Sequence, residues 1–242
     1  MSQDQSPIIE FEAATAGVHA GGNRYDTGLW NVSFRLDPGE LLLLRAERAL
    51  PRLPIGDLAL GLIEPSRGVV RCMGKRWGER ITSDVVSTRA RIGRYPGSST
   101  WLRRLSVEQN ITLMARFHTH MRGRDIVARA EALCRAFGLP GLPRGEPGSA
   151  MEQDLARAAC ARMLMLDPEL IVLDRPAQGI GLDILPTLMN QISAARRRGA
   201  AVIWITTDDT VYHEPAIRPT RRCLMTGAQM VDAAPLPTSE AA

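Results

Sequence analysis

The stretch Pro38–Val70, PGELLLLRAERALPRLPIGDLALGLIEPSRGVV, decides the fold. Pro38-Gly39-Glu40 is a turn into Leu41–Leu44, an apolar run of strand length. After the segment RAERALPRLP comes IGDLALGLI, with helical spacing at Ile55, Leu58, Leu62 and Ile63. EPSRG is a second turn and VVRCM a second strand. Chains built this way hold a nucleotide phosphate where the strand enters the helix, on a glycine-rich loop that offers backbone N–H groups. Here that junction carries two prolines and no glycine. The frame of a phosphate site is present and its usual loop chemistry is not.

Working outward, IIEFEAATAGV and LWNVSFRLD read as strands, and HAGGNRYDTG between them as a loop. ARIGRYPGSSTWLRRLS reads as an irregular connector. It leads into three helical segments, VEQNITLMARFHTHM, GRDIVARAEALCRAFGL and MEQDLARAACARMLML. PELIVLD and AAVIWITTDD are near-continuous apolar runs, as strands buried on both faces require. LDILPTLMNQISAARRRG between them is helical, and RRCLMTGAQMV closes the pattern as a hairpin. The whole predicts an α/β core with mostly parallel sheet, antiparallel strands at its start and a helical insertion.

The chain has 242 residues, 45% of them hydrophobic, enough for one large domain with a substantial core. No apolar run reaches the roughly 18 residues of a membrane span. The start, MSQDQSPIIE, has no leader-like apolar run. The four cysteines form no CxxC pair, which predicts reduced thiols in a cytosolic setting. Lys75 is the only lysine, so 29 of the 30 basic residues are arginine. With few aromatics and a mild net charge, this reads as a solvated surface and not a nucleic-acid platform.

The order of these elements and many residues between them, over Ile8–Val231, resemble the ATPase subunit of ATP-binding cassette (ABC) transporters. NVSFRLDPGE is similar to that family's entry to the phosphate-loop strand, and GLIEPSRGVV to its exit after the following helix. RIGRYP…LRRLSVEQNI resembles the Q-loop connector. ARAACARMLMLDPELIVLDRP resembles the helix and Walker B strand, and GAAVIWITTDD the switch-histidine strand. The resemblance implies a P-loop NTPase-like α/β core spanning 1–231, a helical subdomain at about 98–165, and a disordered tail at 232–242. The segment from Asn110 to Gly148 loosely resembles the ATPases of lipid-trafficking ABC systems.

The same resemblance locates what has changed. Where the family has GPxGxGKST, this chain has Ala46–Pro54, AERALPRLP. The loop glycines become Ala46, Ala49 and Pro51, Arg52 stands for the lysine, and Leu53 and Pro54 replace the hydroxyl pair. Left-handed backbone costs a non-glycine residue about 1–2 kcal/mol, and proline offers no N–H. A second candidate around Lys75 fails, since Arg76 follows where Ser or Thr is required. Gly97 falls at the Q-loop glutamine and Thr207 at the switch histidine. Asp174 keeps the Walker B aspartate, but Arg175 replaces the catalytic glutamate, and arginine cannot act as a general base. The signature falls on Ala150–Asp154, so Met151, Glu152, Gln153 and Asp154 occupy it. Arg157 matches the arginine after the signature, and Gly181 falls at the D-loop aspartate. The aromatic residue that stacks on the base is not evident, with Val18 and His19 nearest.

These changes imply no catalytic residues, no metal site and no cofactor. The expected role is a non-catalytic subunit, structural or regulatory, docking on a membrane permease or an active ATPase partner as homo- or heterodimer. It would sit in the cytoplasm on the inner face of the membrane, without nucleic acid. Trp101, Leu102, Arg103 and Arg104 are the expected partner contacts, by their place beside the Q-loop. The alternatives are a divergent subunit that hydrolyses Mg·ATP, with Arg48 and Arg52 on the phosphates, and a soluble adaptor or nucleic-acid module outside transport. Among lesser signals, His118 and His120 would face apart on a helix, Cys160 reads as core, and Asp174 reads as a strand-end acid paired with an arginine.

Overall fold

The computed structural model describes residues 6–49, 52–97, 100–176, 178 and 182–233. Twelve strands are described among them. β1 (Ile9–Ala16) and β4 (Leu29–Leu36) are joined through a small ladder of β2 (His19–Ala20) and β3 (Asn23–Arg24). β5 (Leu41–Arg45) leads into α1 (Ile55–Ala59), and β6 (Arg67–Cys72), β7 (Lys75–Arg76), α2 (Thr82–Ala90) and β8 (Ile92–Tyr95) follow. Three helices come next, α3 (Val107–His118), α4 (Gly123–Ala136) and α5 (Glu152–Met163). The chain then runs through β9 (Leu170–Asp174), α6 (Leu185–Arg197), β10 (Ala201–Thr206), α7 (Asp209–His213), β11 (Arg221–Thr226) and β12 (Gln229–Asp232).

One sheet has the order β4-β1-β6-β7 and is antiparallel. The other has the order β12-β11-β5-β10-β9-β8, parallel throughout except for the edge strand β12. The run of leucines explains itself in this setting. Leu41 and Leu43 belong to the core beneath the helices, while Leu42 and Leu44 belong to the core against the antiparallel sheet. Successive strand residues point to opposite faces, so a strand sandwiched between two layers is apolar at every position. β9 does the same, with Ile171 and Leu173 on the helical side and Leu170 and Val172 on the other. Burying each such side chain contributes about 1.5–3 kcal/mol.

Four expectations need correction. The connector from Ala90 to Ser106 begins with a true strand, β8, which pairs in parallel with β9. Gly93 and Arg94 hide the strand pattern, and Gly93 is needed because a Cβ there would come within 2.5 Å of the Met163 carbonyl oxygen. The loop His19–Gly28 contains the β2–β3 ladder. α3 ends at His118, and Thr119 is extended, so His118 and His120 do not share a helix. At the other end Asp232, placed in the tail by the sequence, closes β12 and pairs with Arg221 at 2.5 Å. The rest of the expected tail, 234–242, lies outside the described residues, as do Pro51 and Gly181.

Candidate functional site

The carboxyl ends of β5, β8 and β9 surround a cavity of about 500 Å³, the position at which open α/β sheets place ligands. Its walls are rich in arginine: Arg52, Arg94, Arg162 and Arg175 face it, with Asp57 and Asp174.

Arg52 follows the strand-to-helix loop. Its backbone N–H donates to the Asp26 carboxylate at 2.8 Å, and the Asp26 N–H returns a bond to the Arg52 carbonyl at 3.0 Å. The donor that would point at a phosphate is therefore held by a carboxylate of the same chain. The Arg52 guanidinium lies over the Tyr25 ring, 5.7 Å from its centroid. Upstream, Ala46 is buried and donates its N–H to Thr206, while Arg48 and Ala49 are exposed. Leu53 is buried, and Pro54 stands as the helix cap with no side-chain hydrogen bond.

Asp57, in the first turn of α1, is buried and ties three elements together. It meets Arg94 of β8 at 2.6 Å, accepts from the Tyr25 hydroxyl at 2.6 Å and from the Asn23 amide at 3.5 Å. Burial, reinforced by the bond to Asp57, pushes the Tyr25 phenol up to about 12.

At the end of β9, Asp174 accepts from Arg175 Nε at 2.9 Å, as the sequence reading of a paired strand-end acid anticipated. Arg175 has φ 49, a left-handed backbone that is strained for a non-glycine residue. Gly97 has φ +69, and a Cβ there would meet the Asp174 carbonyl at 2.8 Å and the Arg175 guanidinium at 3.1 Å. No glutamine side chain can be accommodated at that backbone. Thr207 is buried, and its hydroxyl accepts from the Gln178 amide at 2.8 Å.

The remaining expected residues lie elsewhere. Met151 precedes α5 and is exposed, and Glu152 and Asp154 supply acid in its first turn. Carboxylates there already balance the positive end of the helix dipole. Gln153 is exposed on that same turn. Arg157 reaches across to Asp183 at 2.7 Å and to the Phe137 carbonyl. Trp101, an expected partner contact, is half-buried against the helical core with the Arg162 guanidinium 4.5 Å from its ring. Leu102 is 53% exposed, and Arg103 and Arg104 are exposed. Asn110 clamps this turn, accepting from Leu102 N–H at 2.9 Å and donating back to the Leu102 carbonyl at 3.1 Å.

Known proteins place this geometry. No protein-family model matches the chain. It is 29% identical over 209 residues to the zinc import ATP-binding protein ZnuC of Chelativorans sp. strain BNC1, covering 85% of this chain and 64% of that protein. Against the intermembrane phospholipid transport system ATP-binding protein MlaF of Haemophilus influenzae it is 23% identical, over 72% of this chain and 67% of the relative. The dimeric post-hydrolysis structure of the ATP-binding cassette MJ0796, bound to ADP and Pi, superposes with a TM-score of 0.75 at 18% identity, over 93% of this chain and 98% of that one. The chain is a relative of ABC transporter ATP-binding subunits. Its fold is that of an ABC ATPase cassette, and the matched stretch spans less than two thirds of the ZnuC relative.

Sequence reasoning missed the network that lines this cavity. Tyr25, Asp57, Arg94 and Arg162 carry no motif. The one available signal was Asp57 itself, an acid in the otherwise apolar helical run IGDLALGLI, which requires a partner if buried.

Proposed function

We propose that this chain is an ABC-type cassette without nucleotide chemistry, a structural or regulatory subunit of a transport complex at the inner face of the membrane. The observation that carries the reading is the Asp174–Arg175 pair at 2.9 Å. The carboxylate that would serve a metal is covered by a cation, and that cation sits where a base would polarise water. The Arg52 N–H held by Asp26, the hydroxyl-free Leu53-Pro54 and the acidic first turn of α5 support it further. These residues do not fit Mg·ATP, so no hydrolytic step is assigned to them. A divergent ATP-binding subunit is the second reading, favoured by the arginines around the cavity.

What remains of the family's task is assembly, with a permease or an ATPase partner, in a homo- or heterodimer. Among the described residues no helix is long and apolar enough to cross a membrane, so attachment would be through such a partner. The half-buried Trp101 serves the fold, and the docking surface is Leu102 with Arg103, Arg104 and the exposed α3 side chains Met114 and Phe117, which lie three residues apart on one face. Two measurements test the reading: steady-state Mg·ATP hydrolysis by the purified chain, and affinity capture of membrane proteins from detergent extracts. No turnover together with a co-purifying integral membrane protein is the expected result. Turnover above background removed by Asp174→Asn would overturn it.

A further inference from the structure

A separate cavity of about 300 Å³ opens beside α1, β6 and the turn after β7. It shares no lining residue with the cavity at the carboxyl ends of β5, β8 and β9. Leu58, Ile63, Val70 and Trp77 give it apolar walls, and all four belong to the core against the antiparallel sheet. Trp77 is fixed in place. Gly61 has φ +63 and packs against the ring so closely that a Cβ there would collide with the indole. The guanidiniums of Arg80 and Arg89 lie 5.3 and 5.5 Å from the ring centroid. Arg89 is held by the Leu60 and Gly61 carbonyls at 3.0 and 2.7 Å, and Arg80 by the Thr88 hydroxyl at 2.9 Å. Neither arginine lines the cavity. Among the described residues, the buried Trp77 Nε1–H has no acceptor. A wall held in this way is formed before a ligand arrives, as in most small-molecule pockets.

The charged groups around it are exposed and unequal. Two carboxylates, Glu64 and Glu79, line the cavity with one guanidinium, Arg76. Arg76 pairs with Glu79 at 3.6 Å. Among the described residues, Glu64 has no cation within 4.0 Å. Its carboxylate lies beside Gly78, 3.4 Å from where a Cβ would stand. The geometry points to a binding site for a small organic amine with an aromatic or branched apolar body. The body packs against Leu58, Ile63, Val70 and Trp77, and the ammonium meets Glu64 at the rim. Burial of the apolar body supplies most of the affinity. The exposed ion pair adds little to it and sets the sign of charge that the site accepts. The walls come from α1 and from the antiparallel sheet, so an occupant touches both layers. This site does not rest on the nucleotide-free function, and either can fail without the other.

The test titrates the full, isotope-labelled chain with phenethylamine hydrochloride, with the neutral phenethyl alcohol and sodium chloride in parallel arms. Indole N–H resonances report where the ligand sits, the Trp77 signal being assigned with Trp77→Phe, and calorimetry gives the affinity. A saturable shift of the Trp77 resonance with the amine, absent with sodium chloride, is expected, while the Trp101 resonance stays in place. Phenethyl alcohol on the native chain, and phenethylamine on Glu64→Gln, should each bind about fivefold more weakly. Glu131→Gln, on α4, should leave the affinity unchanged. Glu64 is exposed, so its variant tests the site without disturbing the packing. No saturable shift at Trp77, a shift at Trp101 in its place, equal affinity for the alcohol, or full affinity retained in Glu64→Gln would overturn the site.

Discussion

Arg175 holds a left-handed backbone at the end of β9, and its Nε–Asp174 contact spans adjacent residues. On the proposed reading, reversing its charge does not restore a catalytic site, because the loop before α1 still carries Arg52, Leu53 and Pro54 in place of a lysine and a hydroxyl pair. Arg175→Glu should therefore show no Mg·ATP turnover above background in a steady-state phosphate-release assay. Asp57 makes a different prediction. It is buried and holds Arg94, Tyr25 and Asn23 together. Asp57→Asn leaves Arg94 without its counter-charge, and breaking a buried pair in this way costs about 3 kcal/mol. Urea denaturation should show that loss, with an unchanged dependence of stability on denaturant concentration. The substitutions at Ala46, Ala49 and Arg52 were legible in the sequence because they interrupt a pattern with fixed spacing. The partners of Asp57 were not, since a local pattern says that a buried acid needs a cation and not which of 29 arginines supplies it.

β5, β9 and β10 are buried on both faces, and their continuous apolar runs made them readable. β8 is a short edge strand with one neighbour, and α7 is a single turn capped by Asp208, which accepts from the Thr210 and Val211 N–H groups. Neither has the length or periodicity that a sequence pattern needs, and tertiary pairing decides both. Leu43→Ala, in the middle of β5, should lower stability by about 2–5 kcal/mol in denaturant titrations. The turn before α3 tests docking instead of stability. Leu102 and Phe117 are 53% and 78% exposed, so replacing them removes little packing within the chain. Leu102→Asp together with Phe117→Asp should abolish co-purification with a membrane partner while the thermal melt stays within a few degrees. Arg48→Ala, on the exposed loop after β5, should leave the partner bound.

The two cores meet across the parallel sheet, and all four thiols lie inside them. Burial pushes Cys72, Cys134 and Cys223 up to about 12 from an ordinary 9.0. The unfolded chain then releases these protons at lower pH than the folded one. Their contribution to stability is full below pH 9 and is lost as pH rises toward 12. Urea midpoints under reducing conditions should fall between pH 8.5 and 10.5, two chosen points that span about the start of that window. A thiol reagent at neutral pH should label the native chain slowly and the denatured chain at all four cysteines. Across the molecule, the fold is that of an ABC ATPase cassette, while Asp57 and Asp174 beside the carboxyl ends of its strands are paired with Arg94 and Arg175. The reading of a scaffold kept without its nucleotide is decided by one equilibrium titration of the full chain with Mg·ATP, followed by thermal unfolding. A ligand at 100 times its dissociation constant stabilises by about 2.7 kcal/mol. The prediction is no saturable rise in melting temperature beyond that given by matched inorganic phosphate. A saturable, ATP-specific rise at sub-millimolar ligand would contradict it.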